Sequence, residues 1–157
     1  MTEQDKEFMR RAIALAQYGI DANRGGPFGA VVVRDGEIVG EGCNRVTSTN
    51  DPTAHAEIVA IRAACENLGD FQLDGCVLYT SCEPCPMCLG AIYWARPARV
   101  FYACTREDAA RIGFDDEFIY EEIEKNFEHR QMKLVNLMRD EGLTVFENWT
   151  HKTDKTK

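Results

Sequence analysis

A chain of 157 residues has the length of one domain, and at that size roughly 70% of the unfolded surface can be buried, so no structural metal is needed to hold it together. The apolar fraction is an ordinary 45%, and no run approaches the ~18 consecutive apolar residues of a membrane span. A net charge of -8, with no basic block beyond Arg10-Arg11 and the lysines of the carboxy-terminal tail, repels phosphate backbones, so neither nucleic acid nor a membrane is expected as a partner.

In chain order, Asp5 to about Asn23 carries Phe8, Ala12, Leu15 and Ala16 at helical spacing, and Gly25-Gly26-Pro27 stops it. Phe28 to Val33 and Glu37 to Gly42 are short apolar runs separated by Arg34-Asp35-Gly36, whose Asp-Gly is a hairpin signal, so two antiparallel strands follow. Asp51-Pro52 reads as an N-cap and first helical residue, opening a helix to about Asn67 that Gly69 ends. Cys76 to Thr80 is a strand, Cys85 to Ala95 a helix introduced by Pro84 and Pro86 and closed by Pro97, and Arg99 to Ala103 a further strand. That order suggests parallel neighbours joined by right-handed crossovers. Beyond Cys104 come short helical pieces, a strand around Met132 to Leu137, and an amphipathic end with Leu143, Phe146 and Trp149. With no repeat, low-complexity tract or linker before the polar tail, a single domain over 1–157 is expected.

Seven cysteines is an odd number, and the acidic start Met1-Thr-Glu-Gln-Asp-Lys-Glu-Phe8 lacks the features of a secretory signal, so a cytoplasmic protein with metal or redox chemistry is expected rather than a disulfide framework. Cys82, Cys85 and Cys88 stand at even spacing. Cys85 and Cys88, three apart, share a helix face and can address one ion from a first turn that also favours thiolates. Cys82 precedes that helix and reaches the same ion only if the backbone folds back. An iron-sulfur motif would need a fourth cysteine where Ile92 stands.

The best further ligand is His55, in Thr53-Ala-His-Ala-Glu57, since His129 and His151 lie in polar segments of the last third. His55 and Glu57 are two apart, so both serve one site only if His55 lies in an irregular first turn. Glu57 then heads the stripe Ile61, Ala64, Leu68 with its carboxylate inward, a costly placement without a task. One His and two Cys leave the fourth position of a zinc ion to water, the pattern of a catalytic site. Two thiolates blunt the ion's effect on the pKa of that water, which calls for a general base, the role Glu57 fits.

These motifs resemble those of the zinc-dependent nucleobase and nucleoside deaminases, the cytidine-deaminase-like superfamily, whose signature is His-x-Glu with Pro-Cys-x-x-Cys. Within it the wording is closest to that of the bacterial guanine deaminases, in Gly25-Gly-Pro-Phe-Gly-Ala30, Asn50-Asp-Pro-Thr-Ala-His-Ala-Glu57, Tyr79 to Pro97, and Gly113-Phe-Asp-Asp116, so that the resemblance covers roughly residues 5 to 122. It implies a three-layer α/β/α sandwich around a mixed five-stranded sheet, with one catalytic zinc held by His55, Cys85 and Cys88 and with Cys82 non-ligating. It also implies that Glu57 carries protons from the attacking water to the ring and the departing ammonia, that Phe28 stacks on the base and that Asn44 hydrogen-bonds it; Trp94 is a further pocket candidate.

By the same resemblance the reaction is hydrolytic deamination of guanine to xanthine, a step of purine metabolism. Guanine presents N1–H beside its C2 amino group, a row of donors for a carboxylate. Asp116, with Asp115 second, is assigned that recognition and a catalytic role with Glu57. The family closes its pocket with a carboxy-terminal segment exchanged between the subunits of a homodimer, here from about residue 130, ending in an aromatic residue; nothing aromatic follows Trp149 in this chain except His151. The competing readings are a deaminase of another aminated ring or of adenosine in transfer RNA, a non-catalytic zinc-binding module, and a redox role for Cys82 and Cys85. The -8 charge speaks against the transfer RNA reading, and Glu57 against the module.

Overall fold

The computed structural model describes residues 1–156. Helix α1 (Glu3–Asp21) begins at a capping box, in which Thr2 Oγ1 accepts from the Asp5 amide at 3.1 Å while Asp5 Oδ2 accepts from the Thr2 amide at 2.6 Å. Strands β1 (Gly29–Arg34) and β2 (Glu37–Cys43) form the expected hairpin. Its turn needs positive φ at two successive positions, and Asp35 (51°) and Gly36 (79°) supply them. After the single helical turn α2 (Val46–Thr49) come α3 (Ala56–Leu68), β3 (Val77–Cys82), α4 (Pro86–Ala95), β4 (Arg99–Cys104), α5 (Arg106–Arg111) and α6 (Glu117–Glu124).

The sheet order is β2-β1-β3-β4, with β1 antiparallel to both β2 and β3 and β4 parallel to β3. It is mixed, as expected, but has four strands among the described residues, not five. The segment Met132 to Leu137 forms no ladder. Its spacing of apolar residues resembles a strand's, but a strand also needs a neighbouring strand to take its backbone hydrogen bonds.

The two-residue period of the central strands builds three layers. Val31, Val33 and Tyr79 turn to α1 and pack with Ala12 and Leu15, whereas Ala30, Val32 and Leu78 turn to the other face and pack with Ala56, Ala60 and Ala64 of α3 and Ile92 and Ala95 of α4. The alanines let α3 lie close to the sheet. At Gly40 an added Cβ would fall 2.5 Å from the Ala60 carbonyl oxygen, so no larger residue fits there.

Asp51-Pro52 does not open α3. Asp51 Oδ1 accepts from the Thr53 amide (2.9 Å) and hydroxyl (2.7 Å), closing a local turn, and the helix starts at Ala56 with His55 as N-cap. A short acceptor side chain followed by proline serves a turn as well as a helix start.

Contacts divide the chain into two units, Met1–Tyr120 and Glu121 onward. In the second, Arg130 donates to the Ile123 carbonyl at 2.9 Å and the Lys125 carbonyl at 3.1 Å, which satisfies the end of α6. An irregular stretch leads to α7 (Arg139–His151), and no residue of α7 is buried.

Candidate active site

His55 and Glu57 straddle the start of α3. His55 is extended (φ -67°, ψ 155°), which frees its ring from the helical register, so both side chains serve one site despite their two-residue spacing. Cys85 is likewise the N-cap of α4, its Sγ accepting from the Cys88 amide at 3.4 Å, and Pro86 occupies the first helical position.

The His55 ring nitrogen Nδ1 lies 3.5 Å from Cys85 Sγ and 3.5 Å from Cys88 Sγ. Tetrahedral zinc, with bonds of about 2.0 Å to nitrogen and about 2.3 Å to sulfur, requires nitrogen and sulfur to lie about 3.5 Å apart. The donor set fits that ion, and it is the one such group of His, Cys and acidic side chains among the described residues.

Electrostatics favour a cation. The Cys85 thiol is lowered to about 4, first by the hydrogen bond from Cys88 and then by His55 and the Cys88 amide. Cys88 is pushed far up by that bond, by burial and by Glu57, so it holds the proton that a metal would displace. His55 is raised, chiefly by Cys85.

Glu57 is 6% exposed. Its Oε1 accepts from the Thr80 hydroxyl at 3.1 Å, and its Oε2 lies 3.5 Å from Cys88 Sγ. Burial raises its pKa above the ordinary carboxylate value, the direction that favours taking up a proton. The strand alternation that sends Leu78 into the core also sends Thr80 and Cys82 toward α3 and α4.

Cys82 is not among the ligating atoms. Its Sγ donates to the Thr105 carbonyl at 3.6 Å, and burial pushes its pKa up to about 12, so it remains a thiol. Accordingly, Cys82→Ser is expected to keep one zinc per chain and Cys88→Ser to lose it, read by metal analysis after dialysis.

A cavity of 460 Å³ opens beside these groups, within the usual range for a small-ligand site. Phe28, Asn44, His55, Glu57, Asp115 and Asp116 all line it. Asn44 is buried, and its Oδ1 accepts from the Gly26 amide at 3.3 Å and the Val46 amide at 3.1 Å, which leaves its Nδ2 as the donor. Phe28 meets Phe114 edge-on, with centroids 5.0 Å apart at 89°.

The two acids differ. Asp115 is exposed, and its Oδ1 accepts from the Glu117 amide at 3.0 Å, a local turn leading into α6. Asp116 is half-buried, with its pKa raised first by burial.

Trp94 corrects the sequence reading. It is 81% exposed and does not line the cavity, because on α4 the 3.6-residue period turns Cys88, Ile92 and Ala95 inward. The sequence reading passed over Thr80, Phe114, Glu83 and Arg106. The Gly113-Phe-Asp-Asp motif already held Phe114, but nothing in the spacing pointed to the other three.

Residues 2–104 match the family described as the cytidine and deoxycytidylate deaminase zinc-binding region. The chain belongs to that family. This deaminase-family chain is 58% identical over 148 residues to the guanine deaminase of Bacillus subtilis, covering 94% of this chain and 95% of that one. The solved structure of the Bacillus subtilis protein superposes with a TM-score of 0.94 at 56% identity, covering 97% of both chains. A structure described as guanine deaminase from Nitrosomonas europaea matches at a TM-score of 0.66 and 32% identity, covering 88% of this chain and 70% of that one. A tRNA-specific adenosine deaminase of Buchnera aphidicola is 34% identical over 149 residues, covering 94% of this chain and 95% of that one.

Proposed function

We propose that this chain is a zinc-dependent guanine deaminase, converting guanine and water to xanthine and ammonia. The observation that carries the reading is a half-buried carboxylate, Asp116, lining the same cavity as the His55, Cys85, Cys88 set and Glu57. The full-length similarity to the Bacillus subtilis guanine deaminase supports it.

Zinc, when bound by His55, Cys85 and Cys88, supplies a Lewis acid that makes water a usable nucleophile near neutral pH. Glu57, steadied by Thr80, takes the two protons of the attacking water in turn, passing one to the ring and the other to the departing ammonia. Asn44 donates its amide N–H to a ring acceptor, Phe28 offers its face to the purine, and Asp116 receives N1–H and the C2 amino group.

Ammonia release from guanine by the zinc-loaded chain, with xanthine followed by absorbance, tests the reading; an inert guanine with zinc in place removes it. The similarity to a tRNA-specific adenosine deaminase makes adenosine in RNA the second substrate to assay. The -8 charge ranks it below the free base.

The same reading includes a homodimer that exchanges the segment from about residue 130. Val135 (84% exposed), Leu137 (81%) and Phe146 (72%) carry apolar surface that a partner copy would cover. Light scattering at micromolar concentration is expected to give twice the chain mass, and a monomer removes the exchange.

A further inference from the structure

Glu83, Arg106 and Tyr120 have no part in the chemistry above, yet they bridge the metal loop and the Asp115-Asp116 pair. Tyr120 Oη donates to the carbonyl of Pro84, the residue before the ligand Cys85, at 2.9 Å. The Arg106 guanidinium lies over the Tyr120 ring, 4.8 Å from its centroid, and the Arg106 amide donates to Glu83 Oε2 at 2.9 Å.

On the other side, Asp116 is joined to α6. The Ile119 amide donates to the Asp116 carbonyl at 3.0 Å, and Asp115 accepts from the Glu117 amide. Asp116 immediately precedes α6 and Tyr120 lies four residues on, in the helix's first turn, so one turn of backbone joins them. Tyr120 does not line the cavity, so it does not touch the base.

We propose that Tyr120 is a positioning residue for Asp116: by tying α6 to Pro84 and seating Arg106, it sets where the Asp116 carboxylate stands relative to the metal loop. The proposal rests on the guanine reading. Pro84 and Tyr120 are 36 residues apart in sequence, and their hydrogen bond joins the metal-ligand segment to the base-recognition segment directly.

Tyr120→Phe keeps the ring beneath Arg106 and removes only the bond to Pro84. With the zinc-loaded full chain, KM for guanine is expected to rise about fivefold, the worth of one hydrogen bond, with kcat within about twofold and zinc unchanged at one per chain. Binding of the product xanthine, measured by calorimetry, is expected to weaken about fivefold when Asp116 is present. In an Asp116→Ala background the same substitution is expected to change nothing, since Tyr120 acts through that carboxylate. An equal loss in both backgrounds, a fall in kcat at constant KM, an unaltered KM, or loss of zinc from Tyr120→Phe overturns the proposal, because each assigns Tyr120 no role or a general structural one. A native chain inert toward guanine overturns the substrate reading and this inference with it; native turnover with any of those results overturns the inference alone.

Discussion

Glu57→Gln is expected to lower ammonia release from guanine by about 10³-fold, within the range a positioned proton carrier contributes, while zinc stays at one per chain. The substitution keeps the shape and an acceptor for the Thr80 hydroxyl, which lies 3.1 Å from Oε1, so the pocket is expected to stay intact. It removes the ability to carry a proton. The burial that raises the carboxyl's pKa also makes it unreplaceable by bulk water, since at 6% exposure solvent has little access to that position. Circular dichroism and metal analysis on the same preparation separate lost chemistry from lost folding. A variant that retains a tenth of the native rate removes Glu57 from the proton path.

Asp116→Ala is expected to lower kcat/KM for guanine about 100-fold, again with zinc intact. A hydrogen bond to a charged acceptor contributes about 1.5–3 kcal/mol, and a half-buried carboxylate lies toward the upper end. The parallel variant Asp115→Ala separates the two acids. Its carboxylate is exposed and engaged with the Glu117 amide, so its loss removes one local turn hydrogen bond and leaves recognition of the base largely in place. Equal losses in the two variants would assign the recognition to the pair and not to Asp116.

The sequence by itself determined the local parts of this protein. The Asp-Gly turn, the hairpin it closes, the strand-helix-strand run through Cys76 to Ala103 and the ligand pair Cys85, Cys88 all follow from interactions within a few residues, which composition and spacing record. The departure of His55 from regular helix geometry was legible for the same reason: two side chains two apart cannot share a helical face, so an irregular first turn was expected, and the structure places His55 as the N-cap just before the helix.

Tertiary structure decided what depends on partners distant in the chain. A strand exists only where a neighbour completes its hydrogen bonds, so Met132 to Leu137 carries the pattern without the ladder and the sheet has four strands. Trp94 looked like a pocket residue until the packing of α4 fixed which side of the helix faces inward. The support for the site is equally non-local: Thr80 reaches Glu57 across 23 residues, and Tyr120 reaches Pro84 across 36. No periodicity encodes such contacts, because they arise only when separate elements settle against one another on the sheet.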